Sequence, residues 1–384
     1  MNRYLLAGCA AVALAMGSGA ANAQAKFEVK VGGDVFAEWG WVDQDLDSGL
    51  RSTEMRNRFR FNLIPSAKAD NGLEYGARIR VRADNNNANG RTLTQDRAYI
   101  FAQGGFGQVR IGTSNTFNDE TIVSRPIDYL PFGLFDQAMG WAGSNGRPAG
   151  SSQVSSLGQG SIVWPTFGDV ATRIVYFSPR IAGFQLGASY TPRNDDSQNS
   201  INRAEGPATA ITAASAISNS FQDIVELGAN YNATFGAVSV KAGAGYQWGE
   251  ASDVTGANFR DMRAWQAGAQ VGFAGVTVGG SYTDWGKTGV NRLVLGDNTK
   301  VWQAGAQYTM GPIVVGAGWM YGQDSGSFAV SGKREINVYE VGVSYTVAPG
   351  FAVQAQYDYF DNDGDTVATQ DKGSIVLLRT TLAF

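Results

Sequence analysis

Arginine recurs at every second position twice in the first quarter of the chain, as Arg56, Arg58 and Arg60 and again as Arg78, Arg80 and Arg82; Arg97 and Arg110 follow singly. Alternate positions of an extended chain share one face, so each triplet is a ladder of like charges. Adjacent guanidinium groups repel by ~1 kcal/mol at 4 Å in water and by several times that in a lower dielectric. Such a ladder is tolerated only where water or carboxylates lie close. Four acids stand beyond it, Asp119, Glu120, Asp128 and Asp136. A basic wall opposite an acidic segment would set a transverse field across an aqueous passage, in which a dipolar solute aligns and an apolar one gives up aligned water. The other reading pairs the arginines with neighbouring acids such as Glu54, Glu74 and Asp84, as an ion-pair network that solvates an interior.

The chemistry on offer is electrostatic, because the chain has little else to work with. Its 384 residues contain no histidine, and Cys9 is the sole cysteine. Ser-His hydrolysis, His-ligated zinc or haem and phospho-histidine relays are therefore excluded, as are a disulfide framework and a thiolate site. Only 17% of residues are charged, with a formal net charge of −4, while glycine numbers 50. A net-negative chain lacks the broad basic surface that nucleic acid requires.

Residues 1–23 read as a cleaved export signal. Asn2-Arg3 forms a positive start, Leu5 to Met16 is almost wholly apolar or small, and Ala21-Asn22-Ala23 supplies the small-x-small cleavage pattern. The apolar run is too short to cross ~30 Å of hydrocarbon. Cleavage before Cys9, within the lipobox-like Leu6-Ala7-Gly8-Cys9, would leave too short a leader to function.

The arginines must be positioned by strands. Phe27, Val29, Val31, Val35, Ala37, Trp39 and Trp41 occupy one parity, while Glu28, Lys30, Asp34 and Glu38 occupy the other. The same alternation sets Phe59, Phe61 and Leu63 against the first arginine triplet, and Tyr75, Ala77, Ile79 and Val81 against the second. Runs of this length exceed the usual strand of about 5–6 residues and suit a membrane crossing of about 9–11. An arginine turned to lipid at mid-depth costs about 2–4 kcal/mol, so the polar, glycine-rich parity must face a lumen. Tyr and Trp near the segment ends (Tyr190, Trp248, Tyr282, Trp319, Tyr359) match an interfacial belt. The pattern predicts sixteen strands, at 26–42, 53–68, 73–84, 95–104, 107–114, 170–179, 183–192, 221–234, 236–250, 259–273, 276–285, 299–310, 313–323, 334–347, 351–361 and 373–384. Tight turns such as Asp70-Asn71-Gly72, Ala274-Gly275 and Gly311-Pro312 alternate with long polar connections. The expectation is an all-β, antiparallel transmembrane barrel over 24–384, without a second domain.

These features resemble the trimeric, sixteen-stranded diffusion porins of Gram-negative outer membranes, from the first strand to the last residue. Leu377-Leu378-Arg379-Thr380-Thr381-Leu382-Ala383-Phe384 is similar to the family's terminal strand, whose final phenylalanine the barrel-assembly machinery recognises. Gly105-Phe106-Gly107-Gln108-Val109-Arg110-Ile111-Gly112 resembles its fourth-turn-fifth strand region, and the long insert at about 115–169 follows it. Tyr129-Leu130-Pro131-Phe132-Gly133 is similar to a Pro-x-Phe-Gly-Gly stretch of enterobacterial members, but lacks their intervening acid and second glycine. The resemblance implies a homotrimer, contact with outer-membrane lipid and lipopolysaccharide, a third loop folded into the lumen as a constriction, and Phe384 as the assembly signal.

Together these observations predict a water-filled outer-membrane channel for passive diffusion of ions and small hydrophilic solutes, with no cofactor. The arginines favour anions and the net charge favours cations, so the sign stays open. A solute-selective channel of the same fold, for sugar, phosphate or carboxylate, is the nearest rival; a plugged barrel acting as adhesin or anchor is a more distant one. Asp43, Asp45 and Asp47 with Glu54 at the twelfth place partly echo a calcium loop, but the glycine is one place late and no helices flank it. A solvated external loop is the simpler reading, with calcium or magnesium against lipopolysaccharide phosphates as the alternative.

Overall fold

Each alternating stretch becomes an antiparallel strand. In the computed structural model the described residues are 26–83, 93–127, 141, 170–195, 201–207, 218, 220–252, 254, 258–293, 298–324, 334–364 and 370–384. The first eight strands are β1 (Glu28–Gln44), β2 (Thr53–Lys68), β3 (Glu74–Ala83), β4 (Leu93–Gly104), β5 (Gly107–Ser114), β6 (Ala171–Phe177), β7 (Phe184–Arg193) and β8 (Phe221–Phe235). The rest are β9 (Val238–Ala251), β10 (Met262–Phe273), β11 (Val276–Gly286), β12 (Thr299–Met310), β13 (Ile313–Asp324), β14 (Arg334–Ala348), β15 (Phe351–Asp363) and β16 (Asp371–Ala383). All sixteen expected segments are strands, with ends agreeing to within three residues. The connection from β5 to β6 carries a short helix, α1 (Phe117–Thr121). The leader at 1–23 lies outside the described residues.

Every strand pairs with its neighbours in sequence, and β1 pairs with β16, so the sheet closes. Closure matters because hydrocarbon offers no partner to an unpaired peptide group. The seam runs from Asp34 opposite Ala383 to Gln44 opposite Gly373. It is extended by two backbone bonds between Gly33 and Phe384, at 2.8 and 3.0 Å. Tight turns close one end of the barrel. At the β10–β11 turn, Ala274 (φ 50°) and Gly275 (φ 84°) both take positive φ, the geometry that follows the twist of a two-residue hairpin.

The outward parity is apolar and exposed: Val31, Val35, Leu186, Leu227, Val278, Val341 and Leu378 stand on it. Aromatic residues flank the band, and Trp265, Tyr282 and Trp302 stack side by side across β10, β11 and β12. The inward parity is not polar throughout, contrary to the sequence expectation. Val301, Met320, Ile336, Val338, Phe360, Ile375 and Leu377 form a buried apolar cluster on the inner face of β12 to β16, and Trp141 of the long loop packs against it. Phe221, Ile224, Met262, Ala264 and Trp285 form a second cluster on β8, β10 and β11. Alternation alone cannot distinguish an inner face wetted by the lumen from one covered by a loop.

Val341 lies on the lipid face between Tyr339 and Tyr345. Val341→Arg should destabilise the folded barrel by about 2–4 kcal/mol, measured by urea titration in lipid vesicles. An unchanged midpoint would place Val341 away from hydrocarbon.

The arginine-lined constriction as candidate functional site

The inner face of β1 presents Asp34, Phe36, Glu38 and Gly40 at alternate positions, and the β2 register places Arg60, Arg58 and Arg56 opposite the first three. Arg58 Nη2 donates to Asp34 Oδ2 at 3.0 Å and Arg56 Nε to Glu38 Oε1 at 2.6 Å. Arg379 of β16 faces Glu38 from the other side and donates to its second oxygen. Phe36, buried on the inward parity, has the Cζ atoms of Arg58 and Arg379 at 4.9 and 5.0 Å from its ring centre. Cation–π contacts of this kind contribute about 0.5–2 kcal/mol each. The acids that hold the first triplet are therefore on β1. Glu54 instead pairs with exposed Arg51, Glu74 lines a cleft at the turn end with Lys68 and Arg110, and Asp84 lies outside the described residues.

The second triplet meets a harder problem. Arg82 lies directly opposite Arg60, and Arg80 directly opposite Arg97, and like charges in facing positions destabilise a sheet. A bulge in β4 resolves it: Arg80 pairs with Arg97 and Val81 with Gln95, leaving Asp96 as the extra residue. Asp96 is buried and accepts from Arg80 Nε and Nη2 at 2.7 and 2.8 Å, with Arg82 Nε at 3.4 Å. Arg78 donates to Asn62 at 3.0 Å. Farther along the wall, Arg110 donates to Glu120 at 2.6 Å and stacks on Phe177, 4.4 Å from its ring centre.

The long loop leaves β5 and is laid against the inner wall. Thr116 caps α1 by accepting from the Asp119 amide at 3.1 Å. The Asn118 amide donates to buried Glu226 of β8 at 2.9 Å, and the Phe117 amide to Ser189 Oγ of β7 at 3.0 Å. Farther on, Gln266 Nε2 donates to Val123 O and Gln270 Nε2 to Ser124 O, both at 2.9 Å, and Arg125 reaches Glu340 of β14 at 3.3 Å. The floor beneath is glycine. A Cβ at Gly187 would overlap the Phe117 ring, at Gly228 or Gly245 the Asn118 amide, and at Gly268 the Val123 carbonyl. Part of the high glycine content thus has a local cause: the loop needs bare backbone to lie close.

Of the four expected loop acids, Asp119 and Glu120 sit beside the arginine wall rather than across from it. Glu120 pairs with Arg110, while Asp119 accepts from Asn115, which in turn accepts from Arg97. Both belong to the first turn after β5, too close to the wall to oppose it. Asp128, Asp136 and the stretch 129–133 lie outside the described residues. The calcium reading also changes. Asp43 belongs to β1 and Glu54 to β2, where it pairs with Arg51; among the described residues no three acidic, histidine or cysteine side chains form a group able to hold a metal ion.

Sequence reasoning missed Asp96, Phe36, Arg379, Trp141 and the glycine floor as parts of the site. The spacing Asp34-x-Phe36-x-Glu38 was a usable signal, since it puts both acids on the parity of the arginines. The bulge at Asp96 leaves no mark in the alternation.

A barrel of sixteen antiparallel strands with a loop held inside and a charged inner wall defines an outer-membrane channel. The sequence profile of the Gram-negative porins matches residues 10–365, and the chain belongs to that family. Its structure is similar to the anion-selective porin from Comamonas acidovorans (15% identity over 94% of this chain and 100% of that one, TM-score 0.62). It is also similar to the Vibrio cholerae outer membrane protein OmpT in its trimer form (13%, 93% and 99%, 0.61). A mutant porin of Rhodopseudomonas blastica aligns with 16% identity over 93% of this chain and 100% of that one, at a TM-score of 0.55. None of the curated protein sequences matches. The protein is a porin, a diffusion channel of the Gram-negative outer membrane.

Asp96→Asn should cost about 2 kcal/mol of folding stability, the size of a hydrogen bond to a charged group, because Arg80, Arg82 and Arg97 lose the carboxylate they share. The same urea titration reads it, and an unshifted midpoint would mean that lumenal water already screens the three charges.

Proposed function

We propose that the protein assembles as a homotrimer of water-filled pores that pass small hydrophilic solutes without reacting with them, and that each pore favours anions. One observation carries the charge preference. Among the described residues, Arg56, Arg58, Arg60, Arg78, Arg80, Arg82, Arg97, Arg110 and Arg379 line one side of the interior, and the carboxylates paired with them there include Asp34, Glu38, Asp96 and Glu120. A surplus of fixed positive charge along a water-filled passage raises the local concentration of anions.

The net negative charge of the chain does not offset this wall. Asp43, Asp45, Asp47, Asp361 and Asp363 stand at the long-loop rim, where salt screens them over about 8 Å. Glu226 and Glu340 are buried beneath the long loop, bonded to Asn118 and Arg125. The trimeric form of the Vibrio neighbour supports three copies, and the anion selectivity named for the Comamonas neighbour supports the sign. Residues 1–23 serve as the export leader in this reading, and Phe384, which completes the seam, as the assembly signal.

Planar-bilayer recording across a potassium chloride gradient tests the proposal. Stepwise ohmic openings in triplets with an anion-directed reversal potential are expected. Arg60→Glu with Arg78→Glu should move that potential toward cation preference. A cation-directed potential in the parent protein would overturn the sign, and saturable block by one solute class would replace general diffusion with a selective channel.

A further inference from the structure

The long loop touches the first strand at Trp141. The indole Nε1 donates to Glu38 Oε1 at 2.8 Å, and the ring occupies the place that a side chain at Gly40 would fill. Arg56 Cζ stands 5.2 Å from the ring centre, and the apolar cluster of β12 to β16 packs against the same indole. Glu38 is buried and already holds Arg56 and Arg379. The indole is therefore a third donor to a carboxylate whose charge is balanced without it.

These groups come from β1, β2 and β16. β1 and β16 are the two ends of the barrel and meet only when the sheet closes. Until then Arg379 is absent, and a buried carboxylate short of a cationic partner is costly. The seat for Trp141, with the carboxylate held from both sides above the bare backbone of Gly40, exists only in the closed barrel.

We propose that Glu38 is a positioning residue of the channel: it seats the constriction loop through Trp141 and ties the loop's place in the lumen to the closed seam between the first and last strands. The proposal rests on the diffusion-channel reading. Near its start the loop is held by Glu226 through Asn118, and at Trp141 it is held by Glu38. Trp141→Phe removes one N–H and leaves the arginine pairs on Glu38 untouched, so it releases the loop without loosening the wall.

Single-channel recording of the purified protein, with folding checked by the mobility of unheated samples in detergent gels, decides the matter. Trp141→Phe should migrate as a folded barrel, yet make excursions to altered conductance about tenfold more often than the parent, the effect of losing one hydrogen bond to a charged acceptor. Gly40→Val, which fills the seat, should do the same. Glu38→Leu, which has no acceptor for the indole, combined with Trp141→Phe should be no noisier than Glu38→Leu alone, because two changes on one interaction do not add. A Trp141→Phe channel as quiet as the parent would overturn the proposal, as would multiplying effects in the double variant. Should Glu38→Leu fail to fold, Trp141→Phe and Gly40→Val still decide. A folded parent that conducts nothing would instead overturn the channel reading itself.

Discussion

A peptide group in hydrocarbon has no partner except another peptide group. The rest of the structure depends on that constraint. It forbids a free sheet edge, requires β1 to find β16, and fixes the seam register from Asp34 to Gln44. The seam in turn brings Glu38 between Arg56 and Arg379, from strands distant in sequence. The lipid outside thus dictates where a buried charge cluster forms inside.

Closure also divides the interior into two unlike halves. Along β1 to β5 the wall keeps its arginines, most of them steadied by a carboxylate, an amide or an aromatic ring; Arg58 and Arg97 are buried, while Arg56 and Arg82 stay partly exposed. From β7 to β14 the wall is occupied by the loop, resting on glycine and held by Glu226, Gln266, Gln270 and Glu340. The passage is set by the space between them. The loop's own acids contribute less to an opposing field than their sequence suggests, because Asp119 and Glu120 are spent on neighbours of the same wall.

The fold was legible because lipid imposes a strict period of two on one face of every strand; all sixteen segments carried it, even short β6. The arginine wall was legible for the same reason, since its residues share the parity opposite Phe61 and Val81. What sequence reading could not supply was anything set by a register error or by the loop. Asp96 turns inward only because β4 is bulged, and the inner apolar residues of β12 to β16 read as ordinary strand residues until Trp141 is seen against them. Partners such as Asp34 and Glu38 were visible as polar positions, but the pairing of Glu38 with Arg379 depends on β16 closing against β1.

The buried cluster around Val338, Phe360 and Ile375 has a thermodynamic consequence that a water-filled barrel would lack. Side chains on the outer face exchange lipid for detergent or lipid when the strands come apart, so they add little to the hydration change. The inner cluster is different: it is dry in the folded protein, and unfolding wets it. Heat capacity rises with newly wetted apolar surface, so the protein carries, inside a membrane barrel, the calorimetric signature of a small water-soluble core.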